Sequence, residues 1–186
     1  MRRGLVSGYE LSAAEIDELL ALDESARAVD AALHFLGYRP RSEYEVRQRL
    51  RRRGFAEPAI EHAVEQLRGW SYLDDRQFAE FWLKNRIEHS PRGERALVQE
   101  LRQKGVDVET AREVLGEQEV DEYAAALELA RKRLPSLKNL DRQTRERRLT
   151  GFLQRRGYGW DVVKPVVKEL ANGDTDDEID TVDDSA

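Results

Sequence analysis

Three histidines, His34, His62 and His89, and the adjacent acids Asp74 and Asp75 are the first side chains to consider for proton transfer or metal ligation. Their spacing argues against both uses. No histidine has a second histidine or a carboxylate at metal-ligand spacing, and a lone helical histidine is ordinarily a surface or satisfied side chain. Adjacent aspartates point in different directions on a helix, so helix capping explains the pair better than an acid/base couple does. The chain has no cysteine, which excludes disulfides, Cys-ligated zinc and thiol nucleophiles. Gly54, Gly105 and Gly157 lie about fifty residues apart and form no phosphate loop. The expectation is a protein that acts by binding: not an enzyme, with no catalytic, cofactor-binding or metal-ligating residue.

The remaining chemistry is cationic. Arg51-Arg52-Arg53, Arg102 with Lys104, and Arg155-Arg156 fall just before the three glycines, and further arginines extend the charge upstream. One reading is that cations at a helix C-terminus complement its dipole, for about 0.3–1 kcal/mol each. The other is contact with an anionic surface, where similar faces on successive units add weak attractions along a polymer. Phosphate and acidic protein both satisfy the pattern. The candidate partner-binding residues are Arg47, Arg51, Arg92, Arg95, Arg102, Arg148 and Arg155, charged positions away from the apolar stripe of Leu50, Leu101 and Leu153. Trp70, Tyr72, Phe78, Phe81, Trp82, Phe152 and Tyr158 fall mostly on apolar stripes or helix junctions and read as core rather than base-stacking platforms.

What must position these arginines is a repeated helical unit. Val46, Leu50, Gly54 and Phe55 recur as Leu97, Leu101, Gly105 and Val106, and again as Leu149, Leu153, Gly157 and Tyr158. Apolar residues follow each glycine at matching distances: Ile60, Val64 and Leu67 in the first copy, Val163, Val167 and Leu170 in the third. The middle copy keeps Ala111 and Leu115 and breaks at Gln118. A fixed period near fifty marks helical units that bury their faces on one another. The expected fold is all-α: three tandem three-helix repeats stacked into an elongated, curved array without a sheet. Ser42-x-x-Glu45 and Ser12-x-x-Glu15 have the form of capping boxes. Ser90-Pro91 reads as the start of the second helix of the middle repeat, and Pro58 as the first position of a third helix. The expected divisions are an extension with a short helix (1–26), repeats at 27–69, 70–118 and 119–171, and an acidic disordered tail (172–186).

Net charge is −6, but it is partitioned. The tail carries −7 and the extension −4, leaving the array at +5. A mildly basic body keeps an anionic partner in play despite the acidic whole. No apolar run approaches the roughly 18 residues of a membrane span, and Met1-Arg2-Arg3 is not followed by a signal-peptide core. A cytoplasmic monomer without membrane contact is expected.

Four segments resemble, in order, the signatures of the RecX regulatory proteins: Arg39-Pro-Arg-Ser-Glu-Tyr-Glu-Val-Arg-Gln-Arg-Leu50, Tyr72-Leu-Asp-Asp-Arg-Gln-Phe-Ala79, Pro91-Arg-Gly-Glu-Arg-Ala-Leu-Val-Gln-Glu-Leu-Arg-Gln-Lys-Gly-Val106, and Phe152-Leu-Gln-Arg-Arg-Gly-Tyr158. The resemblance spans 27–171. It implies a modulator that binds the RecA recombinase and its nucleoprotein filament, inhibits filament extension, ATPase and strand exchange, and so tempers DNA repair and the SOS response. The alternative is a sequence-independent nucleic-acid-binding helical module, and weak DNA binding is compatible with either role.

Overall fold

Helix punctuation sets the architecture of the computed structural model, which describes residues 10–118 and 120–176. Ser12 caps α1 (Ala13–Leu36) with a complete capping box, its hydroxyl accepting the Glu15 N–H while the Glu15 carboxylate accepts the Ser12 N–H. Residues 21–27 contain neither glycine nor proline, so the expected short helix and the first helix of repeat 1 form one 24-residue helix. The boundary expected at 26/27 therefore falls inside α1. Ser42 caps α2 (Glu43–Arg52) through the Glu45 N–H, and α3 (Glu57–Gly69) follows with Pro58 in its first turn. Asp74 accepts the Arg76 and Gln77 N–H groups at the start of α4 (Asp75–His89).

The second helix of the middle repeat, α5 (Glu94–Gln103), starts later than Ser90-Pro91 suggests, with Gly93 as its N-cap. Asp107, Asp121 and Asp141 cap α6 (Val108–Gly116), α7 (Glu122–Arg133) and α8 (Arg142–Arg155) through side-chain oxygens. A 3₁₀ turn, Leu134–Leu137, follows α7. α9 (Trp160–Asp176) continues beyond 171 into the acidic segment. The rest of the expected disordered tail, 177–186, lies outside the described residues, as do 1–9. Among the described residues every regular element is helical.

The second helix of each repeat ends in the same way. The N–H groups of Phe55, Val106 and Tyr158 donate to the carbonyls of Leu50, Leu101 and Leu153 at 3.3, 3.0 and 3.2 Å. Those of Gly54, Gly105 and Gly157 donate to Arg51, Arg102 and Gln154 at 3.0, 2.9 and 2.9 Å. This paired closure requires a left-handed residue, and the three glycines have φ of 84°, 84° and 89°.

Two compact units divide between Phe78 and Ala79, within α4. In the first, α1 packs on α3 and α2 closes the triad, burying Ala28, Ala32, Val46, Leu50, Ile60, Val64 and Leu67. In the second, α5 packs on α6, and α7 to α9 bury Ala126, Ala130, Leu149, Leu153, Tyr158, Val163 and Val166. Each larger aliphatic side chain contributes roughly 1.5–3 kcal/mol by leaving water.

Candidate partner-binding surface

The seven candidate arginines separate by whether a carboxylate of their own repeat holds them. Arg47 is only 16% exposed and acts as a clamp. Its Nε donates to Glu43 at 2.8 Å along α2, and its two terminal nitrogens donate to the Glu61 carboxylate on α3 at 2.6 and 2.9 Å. The Glu61 hydrogen bonds push its pKa above the ordinary guanidinium range. Arg51 is forked onto Glu57 at 3.0 and 2.5 Å, which holds that carboxyl below its usual value. Arg92 bonds the Glu100 carboxylate at 3.1 Å and buries its Nε. Arg95, Arg102, Arg148 and Arg155 have exposed side chains on α5 and α8. Arg102 and Arg155 stand in the last turns, where the glycine closure already satisfies terminal carbonyls with backbone N–H groups, so neither cation is needed as a hydrogen-bond cap.

The aromatics divide too. Phe78 and Tyr158 are buried, as expected for core, whereas Trp70 and Tyr72 are 51% and 60% exposed and meet edge to face. Ser71 between them has φ 59°, the left-handed region. Among the expected-inert histidines, His34 meets Tyr38 edge-on and His89 Nδ1 lies 3.1 Å from the Asn85 carbonyl.

A feature absent from the sequence reading is a carboxylate from the following repeat on the N-terminus of each of the first two second helices. Asp75 accepts the Glu43 N–H of α2 at 2.9 Å, and Glu122 accepts the Glu94 N–H of α5. Desolvation, chiefly, raises both pKa values. A carboxylate with a raised folded pKa is penalised at neutral pH, and the penalty is relieved as pH falls through that value. Asp75→Asn keeps an oxygen acceptor without the charge and should leave stability at pH 7 unchanged or higher. Asp75→Ala strands the Glu43 N–H and should cost about 1 kcal/mol. Urea denaturation at pH 7 and pH 5 tests this, and because Asp75→Asn removes a carboxyl whose protonation favours the folded state, its stability should fall more steeply than that of the wild type from pH 7 to pH 5. Equal losses for the two variants would show that the charge itself is needed.

Such tandem three-helix units, each with a glycine-closed second helix, define an all-helical repeat protein. Models of the first, second and third three-helix domains of RecX match residues 28–67, 74–115 and 119–167. The chain belongs to the RecX family of regulatory proteins. Regulatory protein RecX of Amycolatopsis mediterranei is 41% identical over 153 residues, covering 82% of this chain and 87% of that one. That of Bacillus licheniformis is 33% identical over 166 residues, covering 89% of this chain and 63% of the longer relative. A crystal structure of regulatory protein RecX superposes with a TM-score of 0.79 at 25% identity, over 87% of this chain and 82% of the other. No helix among the described residues is long and apolar enough to cross a membrane.

Proposed function

We propose that this protein binds the RecA recombinase and its nucleoprotein filament and inhibits filament extension, ATPase and strand exchange, restraining recombinational repair and the SOS response as a cytoplasmic monomer. Family membership supports the regulatory role. The observation that carries the binding surface is the exposure of Arg95, Arg102, Arg148 and Arg155 on the second helices of repeats 2 and 3, without a structural task at the helix ends. Similar cationic faces on successive repeats suit a polymer with a repeating acidic surface, and they speed approach as well as holding contact.

The test is the DNA-dependent ATPase of RecA, with this protein titrated in at a fixed ratio of RecA to single-stranded DNA. Inhibition well below one molecule per RecA, persisting in excess DNA, is expected. Inhibition only at concentrations that coat the DNA would transfer the role to sequence-independent nucleic-acid binding, with its steep salt dependence. Reversing Arg95, Arg102, Arg148 and Arg155 together to glutamate should raise the half-inhibitory concentration about tenfold while leaving the helical circular dichroism unchanged. Unchanged inhibition would remove this face from the interface.

A further inference from the structure

Repeats 1 and 2 have the same helix order, and superposing them through Gly54 and Gly105 aligns Arg41 with Arg92, Arg49 with Glu100 and Phe35 with Arg86. In repeat 2 the Glu100 carboxylate is the hub of a closed cluster. One oxygen accepts from Arg86 Nε at 2.7 Å and Trp82 Nε1 at 3.2 Å, and the other pairs with Arg92 at 3.1 Å. Only 15% of that side chain is exposed. Repeat 1 keeps the arginine before the second helix and loses the acid. Arg41 lies 4.1 Å over the Phe35 ring, and Arg49, standing in place of Glu100, lies 5.6 Å from the same ring.

The consequence is a cationic pair with no carboxylate hub between its members. Arg41 Nε is buried without a hydrogen-bond partner, as Arg92 Nε is, but no carboxylate among the described residues forms an ion pair with Arg41. The nearby Glu45 gives its two oxygens to Arg39, at 3.2 and 3.3 Å. Desolvation first, then repulsion from Arg39 and Arg49, outweighs the attraction of Glu45 and lowers the Arg41 pKa, so the site favours an added negative charge. Arg41 also borders a cleft of about 460 Å³ whose walls include Pro40, Tyr38 and Tyr72, the two tyrosines 73% and 60% exposed. Those rings offer apolar and edge contacts beside the charge.

The geometry points to a carboxylate-binding site in repeat 1, formed by Arg41 and Arg49 over Phe35, that receives an acidic side chain of a partner polypeptide whose neighbouring residue lies in the Tyr38–Tyr72 cleft. Glu100 is the internal precedent: at the equivalent place in repeat 2 a carboxylate, with two oxygens for two guanidiniums, completes the cluster. That precedent favours acidic protein over nucleic-acid phosphate here. The inference does not rest on the recombinase reading, because peptide binding and ATPase inhibition are separate measurements.

Fluorescence anisotropy of a fluorescein-labelled peptide of alternating glutamate and tyrosine, titrated with the full chain, tests it. Arg49→Glu supplies the missing internal carboxylate, so it should weaken peptide binding about tenfold or more and leave the melting temperature unchanged or higher. Arg52→Glu makes the same charge change on an exposed face of α2 and should alter binding within about twofold. Equal losses for the two variants would show diffuse charge attraction and overturn the site. A labelled oligothymidine bound in an Arg49-dependent way, with the peptide unbound, would reassign the occupant as a phosphate and overturn the peptide assignment.

Discussion

Replacing Gly157 by alanine should cost about 3–4 kcal/mol, whereas the same change at Gly54 should cost about 1–2 kcal/mol, although the two glycines close equivalent helices. Both have left-handed φ, 89° and 84°, so both variants incur the backbone penalty. They differ in what a methyl group would meet. At Gly54 nothing lies within 4 Å, whereas at Gly157 the added carbon would sit 2.3 Å from Ala96 Cβ and 2.5 Å from Ala96 N, on α5 of the preceding repeat. Gly93 is the other side of this contact. Its N–H donates to the Arg156 carbonyl at 3.0 Å, and a Cβ there would fall 2.4 Å from Tyr158 N. Two stretches of backbone meet where neither has a side chain, and the adjoining Tyr158 is buried deeply enough to push its phenol up to about 12. Urea denaturation followed by circular dichroism measures the difference. Gly93→Ala and Gly157→Ala open one contact, so the double variant should lose less than the sum of the singles. If Gly157→Ala were no worse than Gly54→Ala, the close approach of repeats 2 and 3 would be wrong.

The sequence displays one part of this arrangement and conceals the other. Glycine at 54, 105 and 157 is legible because a paired helix closure needs a left-handed residue and any side chain there is strained. The capping serines and aspartates are legible for a related reason, since a short side-chain oxygen is what the first amides of a helix lack. Gly93 is not legible. With a helix expected to start at Ser90-Pro91 it falls within the first turn, and its reason, the backbone of residues 156–158, lies across a repeat boundary. Asp75 and Glu122 are hidden likewise, because a first-turn acid on one helix reads as that helix's own dipole partner, not as a cap for another. The length of α1 is hidden because the leading helix and the first helix of repeat 1 have separate apolar groups, although no glycine or proline in 21–27 stops the helix between them.

The arginines show what period alone leaves out. Arg47 and Arg102 are both cations on second helices, and in composition they are interchangeable. Their third helices are not. Glu57 and Glu61 face Arg47 and Arg51 from α3, while the aligned positions of α6 are Val108 and Arg112. The acids that bind the first repeat's arginines into its fold are missing from the second, so Arg102 is exposed for other contacts. The discriminating signal was present in the sequence, on the partner helix rather than around the arginine.

Arg47→Glu is accordingly expected to destabilise the first unit by about 2 kcal/mol, and Arg102→Glu to change stability by less than about 0.5 kcal/mol. Arg47 joins Glu43 on α2 to Glu61 on α3 with its side chain mostly covered, and Glu57 lies 3.9 Å away. Reversing its charge removes three charge-assisted hydrogen bonds and places a carboxylate among three others. The pH dependence has a definite sign. Hydrogen bonding to arginine lowers the pKa of Glu57 and Glu61, so the folded state holds fewer protons than the unfolded one in the acid range, and stability falls with pH as these carboxylates protonate. In Arg47→Glu the Glu61 share of that fall should disappear or invert, since a crowded carboxylate cluster is relieved by protons. Thermal melts of both variants between pH 7 and pH 3 decide the matter. A wild-type acid limb retained in Arg47→Glu would show that the clamp contributes little, and Arg47 would then return to the set of arginines available for a partner.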